Sequence, residues 1–328
     1  MATVFVSWPG YSPNDPMTGG RLLAAGHQLN LQPKLGARSA AELREMLGDA
    51  EAAIVSTDPF TADVLAEHPG LRVISRVGVG YDSIDVAAAD KLGVGVSITP
   101  GLNSETVADQ TLAMILALFR KVVLQDANVK SGRWERVGAL TPSELFGKTV
   151  GLVGAGTIGR AVLRRLAGFG VTVLYFDDFV PALDGAEKCT LEDLLRLSDV
   201  VSLHCPLTPQ TRGLIGPATL ALMKSSAFVI NTSRGPIVDQ SALFDALRDG
   251  RLGGAALDVF EEEPPGAAAL AGIPNLLTSA HMGGLSHESI ARMTASATTS
   301  VLAVLSGEVP STLINPDSVR LRYAGDAR

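Results

Sequence analysis

The sequence predicts an α/β protein of two doubly wound parallel-sheet domains. Three observations predict it. Short apolar runs alternate with amphipathic helical patterns along the chain. A glycine-rich strand–turn–helix unit begins only at residue 150, so a stretch long enough to form its own sheet precedes it. A last helical pattern, 286–305, has no strand-like run after it and belongs back on the first domain. The length of 328 residues suits about two domains.

In the first part, residues 3–7, 28–32, 52–55, 72–77 and 95–98 read as strands. Between them, residues 18–25, 40–47, 62–67 and 84–91 read as helices. Such alternation gives a parallel sheet covered on both faces. Residues 104–123 read as one long helix with Ser104 as N-cap and Glu105 in its first turn. Strands at 149–153, 171–176, 200–205, 227–232, 254–260 and 276–280 then make a second, six-stranded sheet. The boundaries follow: 1–102 for the first domain, 103–285 for an inserted domain, and 286–328 for the return to the first. The polar 320–328 tail is expected to fray.

Composition narrows the function. Hydrophobic residues make up 46% and charged residues 19%, enough apolar material for a sizeable core. The net charge of −7 comes with no basic cluster, which argues against nucleic acid or an anionic membrane as partner. Cys189 and Cys205 have no metal-ligand or redox-pair spacing, and no metal site is expected. The N-terminal segment has no basic residue before Arg21 and runs straight into a strand, unlike a signal peptide. The expectation is a reduced, cytoplasmic protein.

The 150–177 unit carries the first chemistry. An apolar strand leads into Gly154-x-Gly156-x-x-Gly159, then an amphipathic helix, then a strand ending in Asp177. Gly154 permits the sharp turn, Gly156 lets the backbone approach a pyrophosphate, and Gly159 lets the helix pack on the strand. The helix start offers free N–H groups and a positive dipole end to phosphates. Asp177 lies 18 residues past Gly159, at the spacing of a ribose-binding acid. Its carboxylate would repel a 2′-phosphate, so the pattern favours NAD over NADP.

Ligands of open α/β sheets bind at the carboxyl ends of the strands. Ser233-Arg234-Gly235, Glu261-Glu262-Glu263-Pro264 and His281-Met282-Gly283-Gly284 follow three successive strands. A cation, an acid and an imidazole at one sheet edge suit hydride transfer at a small 2-hydroxy acid. His281 can exchange the hydroxyl proton near neutral pH. Glu263 can fix its tautomer, and Arg234 can hold a carboxylate and polarise a carbonyl. Taken singly, each has a plainer reading: a surface ion pair, a solvated acidic run, a satisfied histidine at a strand end. Their joint placement favours the chemical one. His27, His68 and His287 read as surface residues, and His204 as either structural or cofactor-lining.

The chain resembles the D-isomer-specific 2-hydroxyacid dehydrogenases, and within them the short D-3-phosphoglycerate dehydrogenases. The resemblance covers residues 71–289 through RVGVGYDSID (76–85), TPGLNSETVAD (99–109), SGRWER (131–136), VGAGTIGR (153–160), VSLHCPLTPQTRGLI (201–215), INTSRG (230–235), ALDVFEEEP (256–264) and HMGG (281–284). It implies a Rossmann NAD domain inserted into a flavodoxin-like substrate domain. It implies Arg234, Glu263 and His281 as the catalytic set, with the acid just before the proline selecting Glu263. It implies an NAD site lined by Gly154, Gly156, Thr157, Ile158, Gly159, Asp177, Thr232, Ser233, Asp258, Gly283 and Gly284. It also implies backbone N–H groups of Val79 and Gly80 as holders of the substrate carboxylate, with Arg76 and Asn103 nearby, and a homodimer joined through the NAD domains. The implied substrate is a small anionic 2-hydroxy or 2-oxo acid of the 3-phosphoglycerate, hydroxypyruvate or glyoxylate kind. Two departures bear on it. The loop after the third strand, 55–60, carries Asp58 and no cation where phosphoglycerate enzymes often place a base. Val79 stands where phosphite-oxidising relatives carry a lysine. The alternatives are a dehydrogenase of a hydroxyalkyl phosphonate, or an NAD-sensing corepressor or scaffold of the same fold.

Overall fold

A computed structural model describes residues 1–34, 36 and 38–319; the expectation of a frayed 320–328 tail falls outside them. The chain divides into two compact units, one formed by Met1–Asn103 with the chain from Ser286 onward, the other by Ser104–Leu285.

The first unit is built on strands β1 (Thr3–Val6), β2 (Gln28–Leu31), β3 (Ala52–Val55), β4 (Val73–Arg76) and β5 (Gly95–Ser97), all parallel, in the order β2-β1-β3-β4-β5. That is the flavodoxin-like order, with its switch point between β1 and β3. Helices α1 (Gly19–Ala24), α2 (Ala40–Leu47), α3 (Ala62–Ala66) and α4 (Val86–Leu92) connect the strands. Local chemistry starts the last three. Ser39 and Glu42 form a reciprocal capping box on α2, while Thr61 and Asp85 accept N–H groups of α3 and α4. Phe5, Ile54, Ile74, Leu43, Leu47, Leu65 and Leu71 are wholly buried. His68, expected at the surface, is half-buried, its two ring nitrogens against the carbonyls of Val64 and Arg44.

The second unit opens with α5 (Ser104–Arg120) and α6 (Val122–Lys130). The single helix expected over 104–123 is therefore broken. Lys121 adopts a left-handed conformation, φ 50°, and ends α5 about one turn early. Ser104 is not the N-cap but the first helical residue, and it is buried. The sheet comprises β6 (Thr149–Val153), β7 (Thr172–Phe176), β8 (Glu187–Lys188), β9 (Val200–Leu203), β10 (Phe228–Asn231), β11 (Gly254–Leu257) and β12 (Leu276–Thr278). All are parallel, in the order β12-β11-β10-β9-β6-β7-β8. Seven strands replace the expected six. The extra one, β8, is two exposed polar residues with no apolar run to announce it. Helix α7 (Thr157–Leu166) follows β6, and α8 (Leu191–Leu197), α9 (Pro217–Leu220), α10 (Gln240–Arg248) and α11 (Ala267–Leu270) complete the unit. Several expected strands overrun the observed ones at their carboxyl ends. Val259 and Phe260 are apolar and buried, yet they have already left the ladder.

The chain re-enters the first unit with α12 (His287–Leu305), capped by Ser286 and packed on β3 and β4. The segment beyond it adds one antiparallel bridge, Leu313 to Ser97, and the Asn315 side chain bonds Val94 and Val96. No helix among the described residues is long and apolar enough to cross a membrane.

Leu152, in the central strand β6, is fully buried. Leu152→Ala should lower the unfolding free energy by about 2–5 kcal/mol. A chemical denaturation curve of the whole chain reads this, and a midpoint equal to that of the unchanged protein would contradict the packing described.

Candidate active site

The glycine turn after β6 is held by close backbone approaches. Gly154 has φ +100°, and a Cβ there would lie 2.6 Å from the Cys205 nitrogen. A Cβ on Gly159 would lie 2.3 Å from the Gly154 carbonyl oxygen, so the first turn of α7 rests directly on the loop. Gly156, in contrast, has open space where a Cβ would stand. It precedes Thr157, the first residue of α7, and no side chain caps that helix. Exposed N–H groups, a positive helix end and an uncrowded backbone fit the pyrophosphate of a dinucleotide. Ile158 is partly buried against the core beneath.

Asp177 closes this loop. One carboxylate oxygen accepts from the Ala155 N–H at 2.8 Å, and the other accepts from Phe179 and Val180 at 2.8 and 2.9 Å. Burial works to raise its pKa, but the three backbone donors prevail and hold it below the ordinary aspartate value. Asp177 is therefore a fixed anion at the end of β7. His204, after β9, has Nε2 2.9 Å from the Ser202 hydroxyl, and burial pushes its pKa down to about 4. It is neutral at physiological pH.

Three further strands deliver the candidate reactive groups. After β10, Asn231 organises the turn: its Oδ1 accepts from the Ser233 N–H and its Nδ2 donates to the Arg234 carbonyl. Thr232 places its hydroxyl 3.1 Å from that of Thr111 on α5, and the Ser233 hydroxyl donates to the Cys205 carbonyl. Gly235 then meets the next loop so closely that a Cβ would fall 1.9 Å from the Phe260 carbonyl carbon. This approach sets Arg234 beside Glu263, whose Oε1 accepts from the Phe260 N–H at 3.1 Å.

After β11, Asp258 is 1% exposed and satisfied entirely by protein. Its carboxylate accepts from the N–H groups of Met282 (2.8 Å) and Gly283 (2.7 Å) and from the Ser279 hydroxyl, while its carbonyl accepts from the His281 N–H. The turn so held places His281 at φ 53°. The His281 Nδ1 lies 2.7 Å from Glu263 Oε2. Burial tends to raise the Glu263 pKa, but the bond to His281, its charge, the Phe260 N–H and the Arg234 charge together hold it below the usual glutamate value. Gly283 packs against Asp258, with Gly284 following. Arg234, Glu263 and His281 thus meet at one sheet edge, on the unit that carries the glycine turn.

The remaining sequence-predicted residues belong to the first unit. The Arg76 guanidinium lies against the Gly78 backbone, which has φ +149°. The N–H groups of Val79 and Gly80 just beyond make no hydrogen bond among the described residues. Asn103 ends the unit's first segment, its buried Oδ1 lacking a partner among the described residues. A pair of open N–H groups beside a guanidinium is an anion acceptor. Among the described residues no cluster of histidine, cysteine and acid is fit to hold a metal ion.

Comparison with known proteins agrees with this geometry. Residues 112–283 match the family model described as D-isomer specific 2-hydroxyacid dehydrogenase, NAD binding domain. A glyoxylate reductase of Korarchaeum cryptofilum is 42% identical over 86% of this chain and 87% of its own length. The chain belongs to the D-isomer-specific 2-hydroxyacid dehydrogenases. A D-3-phosphoglycerate dehydrogenase of Methanocaldococcus jannaschii is 36% identical over 85% of this chain and 54% of its own. The crystal structure of the TT0316 protein from Thermus thermophilus superposes with a TM-score of 0.88 at 37% identity, covering 95% of this chain and 99% of that one. This dehydrogenase is accordingly an NAD-dependent oxidoreductase of hydroxy acids, with an α/β fold that includes a Rossmann NAD domain.

Sequence reasoning passed over the supports of the dehydrogenase's site: Asn231, Gly235, Ser279 and the Phe260 N–H. Asn231 and Gly235 flank Arg234 within the INTSRG run, and a glycine at one strand end followed by an aromatic at the next was the available signal. Gly235→Ala should push the Phe260–Glu263 loop away from Arg234 and lower kcat/KM by about 100-fold, the scale of an ångström-level misplacement. NADH binding, followed by fluorescence, should persist. Unchanged turnover would show that the close approach is not required.

Proposed function

We propose that this dehydrogenase reduces short 2-oxo acids of the glyoxylate and hydroxypyruvate kind. The observation that carries this reading is the 2.7 Å His281–Glu263 contact beside Arg234 at the ends of β10–β12. The name of the Korarchaeum cryptofilum relative, glyoxylate reductase, supports the substrate class.

Glycines 154, 156 and 159 with Thr157, Ile158 and Asp177 would hold the dinucleotide at the glycine turn, and Thr232, Ser233, Asp258, Gly283 and Gly284 would line its nicotinamide end. A dinucleotide held there would supply the hydride. With Nδ1–H donated to Glu263, the tautomer of His281 is fixed and Nε2 is the atom that exchanges the proton. As the carbonyl becomes a hydroxyl, the proton passes from Nε2 to its oxygen, and neutral His281 keeps its bond to Glu263. Arg234 polarises the carbonyl and holds the carboxylate through its guanidinium. In the first unit, the N–H groups of Val79 and Gly80, with Arg76 and Asn103, would offer a carboxylate-binding surface. Asp258 acts through the turn it holds.

The protein also works as a cytoplasmic homodimer. Val122, Val123, Leu124, Val129, Trp134, Val137 and Phe146 are each 49–80% exposed within one stretch of the NAD unit. So much apolar surface on one segment suits a two-fold interface with a second copy.

His281→Ala should cut turnover by about 100- to 10,000-fold, the usual contribution of a general acid, with NADH affinity retained by fluorescence titration. Near-normal turnover would sink the mechanism. Because the folded Glu263 pKa is depressed, the contribution of the ionised carboxylate is present above the unfolded value, about 4.3, and is lost only as pH falls through the lower folded value. The pH profile of kcat/KM should therefore show no loss from Glu263 protonation between about pH 5 and 7, a range lying wholly above about 4.3. A carboxylate-type loss in that window, abolished in Glu263→Gln, would contradict it. Val123→Asp with Phe146→Asp should convert the dimer to monomer in sedimentation velocity; a dimer unmoved by both places the interface elsewhere.

A further inference from the structure

Helix α5 touches two of the loops at the reaction edge through adjacent residues, and it packs on β10 and β11 within the NAD unit. Successive side chains on a helix diverge by about 100°, so Gln110 and Thr111 reach different strand ends. Gln110, half-buried, reaches the segment after β12, with Nε2 3.2 Å from the Ser279 hydroxyl oxygen. Ser279 has one hydroxyl proton, and Asp258 takes it. The serine oxygen is therefore the acceptor towards Gln110, whose amide presents its NH2 group. The same glutamine packs near the turn: a Cβ on Gly283 would lie 2.7 Å from Asp258 Oδ2 and 3.8 Å from Gln110 Cγ. Thr111, wholly buried, reaches the loop after β10. Its hydroxyl donates to the Val107 carbonyl at 2.8 Å, so it is the acceptor towards the Thr232 hydroxyl, 3.1 Å away. Strand β11 runs between the two loops, and Asp258 beyond it bonds to both sides. Its N–H donates to the Asn231 carbonyl at 2.9 Å, and its carbonyl accepts from the His281 N–H at 2.8 Å.

We propose that Gln110 and Thr111 are positioning residues of the reaction. Gln110 fixes the segment that carries His281, Thr111 fixes the loop that carries Arg234, and their adjacency on one helix gives the two a single spacing. The inference deepens the reading above, in which Arg234, Glu263 and His281 are the reacting groups, and it rests on it. The loops after β10 and β12 are two strand spacings apart, about 10 Å, too far for either to set the other directly. Proton direction supplies the link. The Ser279 hydroxyl gives its proton to Asp258 and receives one from Gln110, so it is held at both ends. The buried carboxylate then keeps the Met282 and Gly283 N–H groups in the turn below His281. On the other side, the Thr232 hydroxyl ties the first residue after β10 to the helix, two positions before Arg234. Both residues act through another side chain. Their effect is on alignment, where a displacement of about 1 Å costs about 100-fold in rate.

The test measures NADH oxidation with glyoxylate by the full chain, in steady state and in single turnover, alongside NADH fluorescence titration and amide hydrogen exchange. Gln110→Met keeps the side-chain length and removes the donor. It should lower kcat and the single-turnover rate by about 10- to 100-fold, with KM for glyoxylate and NADH affinity within about threefold of wild type. The solvent deuterium isotope effect on the single turnover should grow, because proton transfer from a displaced His281 becomes limiting. Thr111→Val should act alike, and Thr111→Ser, which retains the hydroxyl, should restore the rate. The double variant Gln110→Met, Thr111→Val should be no more than about threefold slower than the slower single variant, since both disturb one alignment. The Met282 and Gly283 amides should exchange faster in Gln110→Met than in wild type. An unchanged rate in Gln110→Met, a loss confined to KM, or single-variant effects that simply multiply in the double variant overturns the proposal. Failure of wild type to reduce any 2-oxo acid would instead remove the reading of the reaction. Exchange of the two amides would still decide whether Gln110 holds the turn, and equal exchange in variant and wild type overturns that too.

Discussion

The buried carboxylate of Asp258 is the interaction on which the candidate reaction edge depends. A carboxylate out of water is tolerable only if its lone pairs are filled, and here two backbone N–H groups and a serine hydroxyl fill them. All three donors come from the segment 279–283, so satisfying the acid and shaping the turn are a single event. His281 takes its direction from that turn, and Glu263 from the loop fixed by the Gly235–Phe260 approach. The side chains proposed as reactive are partly exposed, whereas Asp258 and Gly235, which aim them, are buried.

Charge follows the same division of labour. Asp177 and Glu263 are both held ionised, against the tendency of burial, by donors that also fix local geometry. One locks the turn after β6 to the end of β7, and the other meets an imidazole. His204, in the same unit, is kept neutral by burial. The NAD unit therefore holds two acids kept ionised and a histidine kept neutral beside the His281 imidazole, a combination that suits the hydride-and-proton transfer proposed for it.

Much of this was legible in the sequence. The apolar runs and helical patterns located the longer strands and helices because their apolar residues are the ones buried, and Gly154 and Gly159 announced a turn that a Cβ would disrupt. What escaped had no apolar or motif signal. Two exposed residues, Glu187 and Lys188, form a strand only because β7 offers an edge. Lys121 breaks a helix through a backbone angle that lysine does not advertise. The pairing of Asp58 with Arg38 escaped because the two are remote in sequence and meet only through the fold. Asn231 and Gly235 serve by backbone contact, which residue chemistry alone does not reveal.

The left-handed backbone of His281 imposes a filter of its own. Among residues other than glycine, asparagine, aspartate and histidine visit that region most readily, and β-branched side chains are strongly disfavoured there. On the proposed mechanism the position is screened twice, once for a side chain able to exchange a proton and once for tolerance of the main-chain angle, and histidine is a side chain that passes both. Drift at this site is confined by stereochemistry before selection on catalysis acts, so that an inactive descendant of the enzyme would be expected to hold asparagine, aspartate or glycine there sooner than valine or isoleucine.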